Sequence, residues 1–230
     1  MEEIVRVLSE THASILSGEP SGYGWLLGLF VGLFYLTAAY MLWGLIKSTL
    51  KRDVWEFIKH VETVSILSGY AAATLIPALA ILITYEVVSR YAFNAPTSWA
   101  FEISYMLMGI SLMLGLAWCT LARKHIRVDF LYDNLAPKGK ASVDILGYVL
   151  LLLPILIWIS WALFVYFFEA YKVNEVSGES AWNPIIWPFK FSFTYGFFLF
   201  TMQIVVETIK CALTLLGRDV PAPALPRGIH

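Results

Sequence analysis

The sequence predicts an all-α, polytopic membrane helix bundle, and three observations predict it. Hydrophobic residues make up 59% of the 230 and charged residues only 14%, where soluble domains carry roughly 25% charge. Mean hydropathy is +0.69. The apolar residues fall in long runs: 23–46, 63–85, 103–122 and 145–168 contain no Asp, Glu, Lys or Arg. Each is long enough for the ~20 residues that cross a hydrocarbon core. The Lys and Arg residues are also distributed unevenly between alternate connecting segments, as membrane topology requires.

In order, the five spanning helices are expected at about 23–46, 63–88, 100–122, 144–168 and 189–210. The first is too long for a signal peptide and follows an acidic leader carrying Glu2, Glu3, Glu10 and Glu19, where a signal peptide needs a positive one. It is expected to remain as a helix. Between the first two spans, residues 48–61 place Leu50, Val54, Phe57, Ile58 and Val61 on one helical face. Such a segment suits an amphipathic helix lying in the membrane interface, or an extension of either neighbouring helix. Pro77 and Pro154 interrupt the second and fourth spans, where each removes a hydrogen-bond donor and bends the helix. The fifth span is preceded by Lys190, whose stem can snorkel to the surface.

Orientation follows from charge. Twelve Lys and Arg residues lie in segments 47–62, 123–144 and the C-terminal end, against four on the other side. The positive-inside rule then places the C-terminus in the cytoplasm and the N-terminus outside. Three regions are expected: an N-terminal extension (1–62), a four-helix core (63–213) and a cytoplasmic tail (214–230).

The chemistry-bearing residues are sparse. No catalytic pair, HExxH or phosphate-binding glycine loop is present, and the net charge of −1 gives no basis for nucleic-acid binding. No cofactor or metal is expected, nor enzymatic activity. Cys119 and Cys211 sit near the expected cytoplasmic ends, where they would stay thiols. Ionisable groups within a membrane are functional candidates by default, but Glu86, Arg90, Glu102, Glu169 and Glu207 all fall near span ends, within reach of water and head groups. Glu86 and Arg90, four apart, should pair. His12, His60, His125 and His230 lie outside the apolar core.

The remaining candidates concern packing and partners. Gly24, Gly28 and Gly32 form overlapping GxxxG spacings. Ser65, Gly69, Ala73 and Pro77 form a stripe of small residues on the second helix. Such stripes permit close helix approach, within this chain or against a partner. Trp182 and Trp187, beside Pro184 and Pro188, suit head-group anchoring or contact with another protein.

One stretch carries more information. It runs Arg90-Tyr91-Ala92-Phe93-Asn94, then Trp99 with Glu102 opening the third span, then His125-Ile126-Arg127-Val128-Asp129 after it. This resembles the small membrane subunit (DctQ-like, or Q subunit) of the tripartite ATP-independent periplasmic (TRAP) transporters, over roughly residues 61–210. The additional span at 23–46 matches the longer type in that family. The resemblance implies a bacterial inner-membrane protein in a stable complex with a large permease subunit, served transiently by a periplasmic substrate-binding protein and surrounded by membrane lipids. It implies that the small subunit scaffolds an elevator-type permease for cation (sodium)-coupled uptake of a carboxylate-type organic acid. Arg90, Trp99, Glu102, His125, Arg127 and Asp129 would then be scaffold or interface residues. Glu102 also suits the positive end of the helix dipole, and the His125 group suits head groups or a helix cap. The alternatives are a self-assembling small multidrug-type carrier, which needs an acidic residue within its first helices, and a structural subunit of another membrane complex.

Overall fold

The computed structural model describes residues 24–122, 136–218 and 220. Its helices are α1 (Gly24–Lys51), α2 (Trp55–Ala92), α3 (Ala100–Leu121), α4 (Pro137–Gly147), α5 (Leu153–Lys172) and α6 (Trp187–Leu215). A π-helical turn, Tyr148–Leu152, joins α4 and α5 into one rod. Among the described residues, five helices are long and apolar enough to cross a membrane. The expected all-α bundle of five spanning helices is therefore what the chain forms.

The amphipathic segment 48–61 is not a helix of its own. Residues 48–51 end α1, and from Trp55 the chain continues without a break through the second span to Ala92. The break falls at Arg52, whose φ of 52° is left-handed. There the Asp53 N–H bonds Ser48 O at 3.0 Å, and the Trp55 N–H donates to Asp53 Oδ1 at 3.1 Å. That Asp-centred turn ends one helix and starts the next. Most of the apolar face meets protein: Phe57, Ile58, Val61 and Val64 are buried in the main core cluster, whereas Leu50 stays exposed.

Pro154 sits just after the π-helical turn, at the start of α5. A proline mid-rod lacks an N–H and crowds the preceding carbonyls. The wider π turn accommodates both effects without breaking the rod.

α6 is the hub. Half of its apolar window is buried inside the bundle, against 22% or less for the other spans. Phe191 and Phe198 meet Phe30 and Phe34 of the parallel α1. Thr201 and Thr194 reach Ser160 and the Leu163 carbonyl of the antiparallel α5. Gly196 lies so close to α3 that a Cβ there would sit 2.7 Å from Met113 O. α2 packs antiparallel on α3, where Gly69 abuts the Trp118 side chain.

The small-residue stripes divide in two. Ser65 and Gly69 face the bundle, but Ala73 and Pro77, one and two turns further along α2, are exposed. On α1, an added Cβ at Gly28 or Gly32 would meet nothing within 4 Å. Their GxxxG face therefore does not serve packing among the described residues. Gly24 opens α1 in the same register.

Candidate functional site

The central helix carries a polar cluster near each end, and both clusters are buried. At the end bearing the α1–α2 turn, Gln203, Glu207 and Lys210 of α6 face Glu62 and Ser65 of α2. The Ser65 hydroxyl donates to Gln203 Oε1 at 2.8 Å, and Gln203 Nε2 donates to Glu207 Oε1 at 3.1 Å. Lys210 Nζ lies 2.8 Å from Glu207 Oε1 and 2.5 Å from Glu62 Oε1. The contact with Glu62 is an ion pair without hydrogen-bond geometry, since that oxygen has no hydrogen-bond partner. All five residues are less than 9% exposed.

In low dielectric such a group is stable only while every member stays paired. The lysine holds two carboxylates from two helices, and Gln203 relays the network to Ser65. The ammonium already occupies the centre of the oxygen cluster, so its chemistry is that of a fastener. The charges near span ends thus do not all reach water, as their position suggested; Glu207 and Lys210 are core residues. His60 is also buried: its ring lies 4.7 Å from that of Tyr40, tilted by 41°, and presses against Gly44.

At the opposite end, Glu102 is fully buried. No side chain caps the start of α3. Glu102 instead accepts a short hydrogen bond from the Ser180 hydroxyl through Oε1. Its other oxygen and the Tyr105 hydroxyl are buried without partners among the described residues. Ser180 belongs to the connection 173–186, which folds back on itself. Val176 and Ile185 form an antiparallel bridge, Gly178 takes φ +70°, and the Gly178 N–H donates to Asn183 Oδ1 at 2.7 Å. Glu102 therefore pins this connection to α3.

Lys190 holds the same connection from α6. Its ammonium lies 2.5 Å from Glu175 Oε2 and 3.6 Å from the Tyr166 ring centroid. It is 5% exposed and so does not snorkel: burial favours the residue only because a carboxylate and a π face receive the charge.

The two tryptophans separate. Trp182 is exposed, with its backbone N–H donating to Ser180 Oγ. Trp187 is fully buried, edge-on to Phe30 and Tyr171 at 6.0 and 5.4 Å. It is a core residue and not a head-group anchor. Rings brought by α5, the preceding helix, and by α1, far away in sequence, enclose it.

Arg90 pairs with Glu86 as the spacing predicts, at 2.6 Å. The second Glu86 oxygen accepts from the Thr97 hydroxyl and N–H, closing the α2–α3 loop. Trp99 precedes α3 and stacks on Tyr85 at 5.9 Å. His125, Arg127 and Asp129 lie outside the described residues.

An apolar crevice of about 260 Å³ between α1, α3 and α6 is lined by Phe30, Leu33, Met106, Ile110 and Tyr195 among others. A shallower one of about 300 Å³ holds Glu86 and Arg90, already paired to each other. Among the described residues, no group of three His, Cys, Asp or Glu could share a metal ion.

The family model described as "Tripartite ATP-independent periplasmic transporters, DctQ component" matches residues 79–214. No curated protein and no solved structure matches the chain.

Proposed function

The chain belongs to the DctQ component family of the tripartite ATP-independent periplasmic transporters, and on that premise we propose that it is the fixed scaffold of its transporter. It is a small membrane component of such a system; the proposal concerns what it does there. In this reading it widens the stationary frame against which a large permease moves its substrate-carrying domain. The permease performs sodium-coupled uptake of a carboxylate-bearing acid handed over by a periplasmic binding protein. The substrate and ion sites then lie on the permease.

One observation supports this reading most directly. The buried charges described near the ends of α6 act inside the chain, joining α2 to α6 at one end and holding the 173–186 connection to α3 and α6 at the other, while the outward faces of α1, α2 and α5 carry large exposed apolar side chains such as Leu36, Ile81 and Trp158. Rigid inside and apolar outside is what a scaffold needs. Extended apolar surface also suits a large subunit partner. In the same reading α1 and the start of α2 extend a core of 63–213, and 214–230 is a tail. The N-terminus is periplasmic and the C-terminus cytoplasmic.

The test is reconstitution. Vesicles containing the permease with this chain should take up substrate when the binding protein is supplied outside. Vesicles with the chain alone should show no uptake. Uptake by the chain alone would overturn the scaffold reading.

A further inference from the structure

We propose that the turn joining α1 to α2 is a binding site for the phosphate of an anionic phospholipid, held by Lys47, Arg52 and Lys59. The inference requires that α1 and α2 cross a membrane and is otherwise independent of the transport reading.

The cations at this turn are only partly neutralised. Lys47, Lys51, Arg52 and Lys59 share the surface with Asp53 and Glu56. Lys51 is taken by Glu56 at 2.8 Å, and Asp53 accepts the Trp55 N–H. No ion pair engages Lys47, Arg52 or Lys59 among the described residues, which leaves a positive excess facing outward.

The cations also converge. Lys51 of α1 and Glu56 of α2 meet across the turn at 2.8 Å. Lys47 stands four residues before Lys51 and Lys59 three after Glu56, so each shares a helix face with one member of that pair. Arg52, exposed at the tip of the turn with φ +52°, extends the patch beyond the helix ends.

Position selects the ligand. The Lys47 ammonium lies 5.5 Å from the centroid of the Trp43 ring. Trp43 is 54% exposed and Leu50 79%. An exposed tryptophan beside basic residues, at the end of an apolar helix, marks the level where hydrocarbon gives way to head groups. A phosphodiester on an acyl chain satisfies both halves of the surface. The chain lies along Trp43, Ile46 and Leu50, and the phosphate meets cations able to make charge-assisted hydrogen bonds. The occupant is a lipid and not an acidic protein segment because the apolar surface leading to the cations belongs to a membrane-spanning helix.

The test uses full-length protein, with its large subunit where the two co-purify, delipidated in detergent. Phosphatidylglycerol or phosphatidylcholine is added back, and bound lipid is counted by native mass spectrometry. Phosphatidylglycerol should be retained preferentially, less so at high salt. The Lys47→Gln/Arg52→Gln/Lys59→Gln variant should lose on the order of a hundredfold in affinity for it, and Lys172→Gln none. Should the triple variant fail to fold, Arg52→Gly removes one cation while easing the left-handed backbone, and several-fold weakening is expected. Unchanged phosphatidylglycerol binding in whichever of these variants folds would overturn the proposal, as would equal binding of phosphatidylcholine. Loss of the large subunit with lipid binding intact would overturn it too, making the patch a protein contact.

Discussion

Lys210 Nζ lies 2.5 Å from Glu62 Oε1, joining the last helix to the second across the bundle. The same ammonium holds Glu207 one turn away. Replacing this lysine strands two buried carboxylates. Lys210→Met should therefore cost about 3–5 kcal/mol, read as a lower unfolding temperature of the solubilised chain. Lys210→Met combined with Glu62→Gln and Glu207→Gln should recover most of that loss. A single variant as stable as the parent would show that the cluster does not hold the bundle.

Two glycines should respond in opposite ways. Gly196→Ala drives a methyl group against the Met113 carbonyl. Backbone cannot rotate aside, so separation of α3 from α6 should cost roughly 1–3 kcal/mol. Gly28→Ala meets open space and removes glycine from a helix interior, a change worth about 0.5–1 kcal/mol in the stabilising direction. Thermal unfolding of both variants checks the contrast. Weaker recovery of the large subunit from Gly28→Ala alone would identify the α1 face as its docking surface.

The spans were legible because each satisfies the length and charge rules locally. The buried charges were only half legible. Gln203, Glu207 and Lys210 at i, i+4 and i+7 place three polar groups on one helix face, a readable signal. Their partners Glu62 and Ser65 are far away in the chain, however, and end-of-span position suggests water. Residues 48–61 show the same limit: an amphipathic face looks identical whether lipid or α6 covers it. What distinguishes the cases is the left-handed turn at Arg52. Trp187, flanked by Pro184 and Pro188, reads locally as an interface anchor; only Phe30 and Tyr171 reveal it as core. The family motifs at Arg90, Trp99 and Glu102 were readable as a pattern, whereas the bond from Ser180 to Glu102 was not.

That bond gives a third prediction. Glu102→Gln keeps an acceptor for Ser180 and should leave the 173–186 connection ordered. Glu102→Ala should release it, raising hydrogen exchange there. Uptake by the complex should fall more in the alanine variant, with the ion-to-substrate ratio unchanged in both. A changed ratio would place Glu102 in ion coupling.

Topology is open to direct labelling. In a background lacking Cys119 and Cys211, a cysteine at exposed Val173 should react with an impermeant thiol reagent from outside. One at exposed Leu216 should react only after lysis. A cysteine at Gly18 should behave like the one at Val173. Labelling at position 18 only after lysis would show that α1 does not cross.

The most direct test is affinity recovery of the tagged chain from its native membrane, with the retained proteins identified by mass. The scaffold account predicts a large apolar permease in near-stoichiometric amount, lost together with uptake when the chain is deleted. Recovery of a stable homo-oligomer that transports unaided would contradict it.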